Sequence, residues 1–349
     1  MAWPKGTIQY YIKKVATGKQ LSKDLTEEEA YQFLKMILEG KTSPAQNGAF
    51  FAAMRMKGET AEEIAGFTKA VQDSSKRISP KVPFLVDLGY PYDGKLRTQI
   101  LIIGACLVAA AGGVSVMLHG ARNVPPKRGR SPEELLEQLG IPVDLSPQES
   151  EEFLKETGIG YLSCRKFSPP LANFLEIPAE ISIRSPLSAV HKLVNPAQAS
   201  VTVLGITHPP YFETMSAAMV RLNVPRGWVV KGIEGTMELS LSHSTEMVSV
   251  RGNSIEKSRI DPRAYGLPNI MDSEFTQRSL EENTEVTLKA LEGKETFFKE
   301  SFIWNGAFLI FASGKSDSIE AALSLARGAL ESGEAFQVLE RARRLVLKD

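Results

Sequence analysis

The stretch VDLGYPYDGKLRTQ, Val86 to Gln99, joins a strand-like apolar run to a second, longer apolar segment. In an α/β chain such a junction brings backbone N–H groups and a helix N-terminus together, and phosphate is the anion they suit. Gly89, Asp93, Gly94 and Lys95 fit that chemistry. Tyr90, Pro91 and Tyr92 do not, because they set two rings and a residue without an N–H in the middle of the loop. After the next strand-like run come His119, Gly120, Arg122 and Lys127, further candidates for an anionic ligand.

The charge pattern points the same way. Lys95, Arg97, Arg122, Lys127, Arg128 and Arg130 fall in a span with no acidic residue. Arg165 and Lys166, then Arg184, His191 and Lys192, form a second group. The chain as a whole carries 41 Lys plus Arg against 41 Asp plus Glu, so any positive surface is local. Gathered in a cleft, these residues would hold a phosphate-rich ligand, and Tyr90 and Tyr92 could add stacking faces for bases. The alternative is solvated basic residues compensated by Glu133, Glu134 and others, with the tyrosines packed in the loop. No catalytic set emerges. His208 and His243 have no evident partner, Cys164 beside Arg165 has no placed base and is expected to be inert, and Cys106 reads as a core residue. No Cys/His spacing suggests a metal.

Behind these residues stand two kinds of element. Residues 1–75 read as helices only. Thr26 with Glu29 and Thr60 with Glu63 are capping boxes, and Ser43-Pro44 opens a helix that Gly58 closes. From Val82 onward strands alternate with helices: VPFLVDLG, a helix from Leu96 to Ala111, VSVMLHG, helices opened by Ser131 and Ser146, IGYLS, SVTVLGI, YFETMSAAMVRLNV and GWVVKGI. Such alternation gives a mainly parallel sheet. ELSLSHSTEMVSVRG reads as a late strand pair, and residues 317–347 as closing helices. The uncharged run Ile100–Leu118 approaches membrane-span length, but Gly112-Gly113 breaks it into a buried helix and a buried strand. The opening residues lack an apolar signal core, and two cysteines suit a reducing compartment, so a cytoplasmic location is expected.

The order of these pieces resembles the anthranilate phosphoribosyltransferase family, with its family-3 glycosyltransferase fold. The resemblance rests on LSKDLTEEEA…ILEGKTSPAQNGAFFAAMRMKGETAEEIAGF, VSVMLHGARNVPPKRG, LEQLGIPVDLSP, ETGIGYL, LVNPA and the C-terminal LEGKETFFKESFIWNGAFLIFASGKSDSIEAALSLARGALESGEAF. It implies an α/β fold of the nucleoside-phosphorylase type: a helical domain over 1–75 that dimerises, and a larger α/β domain with a mainly parallel sheet over 76–349. Residues 165–195 could cross back to the helical domain. It also implies phosphoribosyl pyrophosphate (PRPP) and magnesium as ligands, held by four motifs. Where the family has Gly-Thr-Gly-Gly-Asp, this chain has Gly89-Tyr90-Pro91-Tyr92-Asp93. Its Asn-x-Ser-Thr becomes Gln99-Ile100-Leu101-Ile102, its Lys-His-Gly-Asn-Arg becomes Leu118-His119-Gly120-Ala121-Arg122, and its Asp-Glu pair becomes Met237-Glu238. The arginine that meets anthranilate aligns near Pro178.

The expectation is therefore a family member with a degraded PRPP site. Glu238 is a lone remnant of the metal pair, and no cofactor is expected unless transferase chemistry persists with magnesium. The proposed ligand sites are Gly89, Asp93, Gly94, Lys95, His119, Gly120, Arg122 and Lys127 for phosphate. Tyr90, Tyr92, Arg97, Arg128, Arg130, Arg165 and Lys166 would serve single-stranded nucleic acid. Two enzyme readings stand beside it: a pentosyl or phosphoribosyl transferase with altered donor or acceptor, and a genuine anthranilate phosphoribosyltransferase. A homodimer is expected, with Phe50, Phe51 and Met54 facing either a partner chain or the second domain, and no membrane association.

Overall fold

The computed structural model describes residues 3–18, 20–90, 93–294 and 297–346. Four helices come first: α1 (Ile8–Ala16), α2 (Glu27–Leu38), α3 (Pro44–Lys57) and α4 (Ala61–Asp73). Thr26, Ser43 and Thr60 each cap a helix through a reciprocal box with the residue three further on. Glu63 goes beyond capping, since it accepts from the Leu25 N–H at 2.8 Å and pairs with Lys57 at 2.8 Å, tying α4 to the preceding segment and to α3. Phe50 lies 4.4 Å from Phe33 and 6.0 Å from Phe67 between ring centroids, inside the bundle. Phe51 meets Phe174 of the second domain at 6.4 Å. Phe50, Phe51 and Met54 are thus all buried within one chain; Phe51 faces the second domain, one of the two placements expected, whereas Phe50 packs inside its own bundle.

A seven-stranded sheet follows, in the order β3-β2-β1-β4-β5-β6-β7. Strands β1 (Val86–Gly89), β2 (Val116–Gly120), β3 (Ile159–Ser163), β4 (Val201–Gly205) and β5 (Arg226–Val230) are parallel. The antiparallel hairpin β6 (Thr245–Arg251) and β7 (Ser254–Ile260) completes the sheet. Strand β1 pairs in register with β2 on one side and β4 on the other, so the chain reverses its direction of travel across the sheet there. The crevice outside the carboxyl ends of β1 and β4 is the topological switch point, where open α/β sheets bind ligands.

Helices α5 (Ile102–Ala111), α6 (Pro132–Gln138) and α7 (Pro147–Thr157) alternate with the first strands. Four short turns, α8 (Cys164–Phe167), α9 (Pro169–Ala172), α10 (Ile177–Glu180) and α11 (Leu187–Val190), share an apolar cluster with the helical bundle. Then come α12 (Tyr211–Arg221), α13 (Leu280–Leu291), α14 (Phe297–Ser313), α15 (Ile319–Glu331) and α16 (Glu334–Val346). Both α5 and α14 are apolar on nearly every side and cross closely at Gly104 and Gly306, which accounts for the long uncharged run without a membrane. Among the described residues no helix is long and apolar enough to cross a membrane.

Two sequence expectations need correction. The helix expected from Leu96 begins only at Ile102, because a carboxylate and other acceptors elsewhere in the chain take the N–H groups of the preceding residues. The strand pair expected within ELSLSHSTEMVSVRG is a single strand, β6. Its partner is the polar, mostly exposed SIEKSRI, whose charges blunt a sheet edge and hide its strand character.

Candidate functional site at the switch point

Gly89 ends β1 at a place where a Cβ would lie 2.2 Å from the Lys192 carbonyl oxygen, so only glycine lets these two backbones meet. The loop beyond it is pinned on every side. Gly94, at φ +72, brings the chain against Gly129. Lys95 and Arg130 exchange backbone hydrogen bonds of 2.9 and 2.8 Å, and Gly129 donates to the Asp93 carbonyl at 2.9 Å. These contacts set Lys127 beside Asp93, 3.6 Å away.

From Lys95 to Ile102 the backbone donors are all committed. The Lys95 N–H goes to Arg130, and those of Leu96, Arg97 and Thr98 go to the Glu234 carboxylate at 2.7 to 3.2 Å. Gln99 donates to the Phe275 carbonyl at 2.7 Å and Ile100 to Asn283 Oδ1 at 3.0 Å. The Leu101 and Ile102 N–H groups, at the start of α5, both donate to Glu238 Oε1 at 2.9 Å. A carboxylate is the charge a helix N-terminus favours. The second Glu238 oxygen takes the Lys95 ammonium and the Thr236 hydroxyl. Lys95 and Glu238 are both fully buried.

Burial pushes the Glu234 carboxyl up. The hydrogen bonds from residues 96–98 outweigh it and leave the group below the usual carboxylate range. Glu234 holds a left-handed backbone, φ 55°, which aims its side chain back at the loop.

This geometry tests the magnesium pair. Both Glu238 oxygens are occupied by protein donors, and Met237 offers only a buried thioether. Magnesium needs several oxygen ligands in octahedral array, so the residues do not fit it. Among the described residues no group of three or more His, Cys, Asp or Glu is placed to hold a metal ion.

The open part of the crevice lies between the two domains, a solvent-open cleft with a cavity of about 120 Å³. Arg55 and Glu59 line it from the helical bundle, and Asp93, Lys127, Arg184, Lys192, His208 and Tyr211 from the α/β domain. Arg184 grips Asp93 Oδ2 at 2.5 and 3.2 Å. Lys192 donates to the Gly205 carbonyl, at the end of β4, at 2.6 Å. Burial, together with Lys127 and Arg184 and against the pull of Asp93, lowers its amine to about 8. Arg55 reaches across to the Tyr211 hydroxyl at 3.1 Å.

The fold brings some of the residues singled out from sequence to the cleft and buries or pairs others. Asp93 and Lys127 face the cleft, whereas Lys95 is sealed beneath it. Tyr90 is 3% exposed and belongs to the core, so its ring offers no face to a base, and Tyr92 lies outside the described residues. Arg122 is held by Glu137 at 2.6 Å and Glu133 at 3.0 Å, Arg128 by Glu176 at 2.7 Å, and Arg130 approaches Glu134 at 3.8 Å. Arg97 is exposed beside Glu234, Arg165 is exposed, and Lys166 pairs with Asp144 at 3.1 Å. His119 sits with Asp87 at 3.3 Å and beside His191, all buried, next to Gly120. Cys164 is buried and its thiol is pushed up to about 12, an unreactive state. Pro178 is buried in α10.

Residues missed from sequence are Glu234 and Arg55. Neither falls in a recognisable motif, and only the fold returns them to the switch point. His243 does find partners, Ser240 and Ser242 at 3.0 Å and Asp272 at 3.8 Å. All three meet the same ring nitrogen, so the imidazole cannot relay a proton between them.

Residues 9–75 match the helical bundle domain of a glycosyl transferase family, and residues 97–336 match its a/b domain. An anthranilate phosphoribosyltransferase of Pelotomaculum thermopropionicum is 36% identical over 337 residues, covering 95% of this chain and 94% of that one. One from Acetivibrio thermocellus is 32% identical over 330 residues, covering 94% of each. The crystal structure of anthranilate phosphoribosyltransferase from Thermus thermophilus superposes with a TM-score of 0.84 at 31% identity, covering 96% of this chain and 98% of that one.

Proposed function

Since the chain belongs to this glycosyl transferase family and is anthranilate phosphoribosyltransferase-like along nearly its whole length, we propose that it binds a phosphate-bearing small molecule in the interdomain cleft, without magnesium and not in the PRPP mode the family motifs imply. One observation carries this reading. Every backbone N–H from Lys95 to Ile102 already has an acceptor inside the protein, so that stretch of loop has no donor left for a diphosphate. The cations lining the cleft, Arg55, Lys127, Arg184 and Lys192, face the carboxylates Glu59, Asp93 and Glu234, and with the Glu59 carboxyl pushed up by burial the balance leaves positive charge for a phosphate.

Calorimetry tests the proposal. Ribose 5-phosphate or inorganic phosphate should bind saturably with or without magnesium, and PRPP with magnesium should give no saturable heat at submillimolar concentration. Tight, magnesium-dependent PRPP binding would overturn it.

A second reading, genuine anthranilate phosphoribosyl transfer, is favoured by the 30–36% identity to enzymes of that name. Consumption of anthranilate fluorescence in the presence of PRPP and magnesium would establish it. The single-stranded nucleic-acid reading has less support, because Tyr90 is in the core and Arg122, Arg128 and Arg130 lie against carboxylates.

A further inference from the structure

Lys192 is positioned by both strands of the switch point. Its main chain is pressed against the end of β1, where Gly89 leaves room for nothing larger than hydrogen, and its amine is tethered to the end of β4 through the Gly205 carbonyl at 2.6 Å. The side chain lines the interdomain cleft. Among the described residues no carboxylate lies in ion-pair contact with it. Asp93, the carboxylate of that cluster, is engaged by Arg184 at 2.5 Å and approached by Lys127 at 3.6 Å. An ammonium placed among two other cations, and bonded only to a neutral carbonyl, gains little from keeping its proton.

We propose that Lys192 is a reactive amine that condenses with the carbonyl carbon of a phosphorylated aldehyde or ketone held in this cleft. The proposal rests on the phosphate-binding reading above and adds the functional group that the ligand carries. Lys127 and Arg184 take the phosphate, and the carbonyl end meets Lys192. The neutral Nζ lone pair attacks the carbonyl carbon, and the C=O π pair moves to oxygen, which takes the proton that the attacking nitrogen gives up. The resulting carbinolamine loses one proton from nitrogen and gains one on its hydroxyl, which departs as water as the C=N bond forms. One amine and one carbonyl give one imine and one water, with no change in oxidation state. Two groups in the same cleft can exchange those protons: His208, and Glu59, whose carboxyl burial pushes up. With the Lys192 amine lowered to about 8, roughly half of it is unprotonated at pH 8, against about one in 300 for an ordinary lysine.

The test is imine trapping on the full chain with pyridoxal 5′-phosphate and borohydride, read by peptide mass mapping. The expected result is a first label on Lys192, with a rate reaching half its plateau near pH 8 and suppressed by inorganic phosphate. Phosphate-free pyridoxal should react at least about ten-fold more slowly, and Lys192→Arg should abolish the first label. Labelling spread evenly over the exposed lysines, or a Lys192 label equally fast with either aldehyde, would overturn the proposal. If calorimetry shows phosphate in the cleft while Lys192 stays unlabelled, the amine's role falls and the phosphate reading stands. If neither phosphate nor label is found, both fall.

Discussion

Lys95 and Glu238 form a fully buried ion pair whose remaining valences are met by the Gln99 carbonyl, the Thr236 hydroxyl and the first N–H groups of α5. Removing one partner of such a pair strands the other, at about 3–5 kcal/mol. Lys95→Met should therefore lower the unfolding free energy by about that much in urea titrations. The double variant with Glu238→Gln should lose clearly less than the sum of the single losses. A single loss below about 1 kcal/mol would show that the pair is not closed as described.

Glu234 carries a pH signature. Its carboxyl lies below the unfolded value of about 4.5, so its contribution is complete above that pH and is lost as pH falls through the lower folded value. Glu234→Gln should flatten the fall in unfolding free energy between about pH 5 and pH 3, measured by denaturation at each pH. These two carboxylates also mark the limit of what could be read from letters. The family's metal position pointed to Glu238 but not to its commitment, and nothing in the local sequence of Glu234 marks it at all. Their partners lie more than 130 positions away, which no periodicity or spacing reports.

At the level of elements, the capping boxes at Thr26 and Thr60, the helix opened by Ser43-Pro44, and the strands β1 to β5 were all legible, because each follows from short-range rules of hydrogen bonding and periodicity. The segment 96–101 was not. Its composition suits a helix start, but a tertiary carboxylate outbid the helix for its N–H groups. Strand β7 was missed for a different reason: an exposed edge strand needs no apolar alternation.

Two glycines separate tight joints from open ones. Gly89→Ala should cost at least about 1–3 kcal/mol, since backbone must move to relieve a 2.2 Å contact. Gly328, exposed inside α15 with nothing within 4 Å of a would-be Cβ, should become stabilising by about 0.5–1 kcal/mol on change to alanine. Thermal unfolding of the two variants in parallel checks both signs.

For the whole molecule, the cations that looked like a continuous basic groove in sequence fold against acidic partners drawn from other segments, among them Glu133, Glu137, Glu176 and Asp93. A groove engaging four to six phosphates would give a log–log salt slope of roughly −3 to −4 for a single strand, at about −0.7 per phosphate. Anisotropy titrations with a labelled oligonucleotide should instead show weak binding at low salt and a slope shallower than about −2. A slope near −4 would restore the nucleic-acid reading. The helical domain retains exposed apolar side chains, Leu21 at 67%, Met56 at 83% and Trp3 at 47%, and a homodimer is expected in sedimentation at micromolar concentration. A monomer would count against it.

The loop from Lys95 to Ile102 has a consequence for descent. Restoring the family's motifs one residue at a time would not reopen it. Replacing Glu238 leaves Lys95 buried without its anion, withdrawing Glu234 leaves three N–H groups in search of an acceptor, and adding a carboxylate at Met237 places it in the core. Each such single change is expected to leave the chain less stable than it is now. If the cleft is used as proposed, a chain whose loop donors are filled from within stands in a fitness valley with respect to a diphosphate held by that loop. Selection acting on single substitutions would sooner adapt the cleft beside that site than recover the site itself.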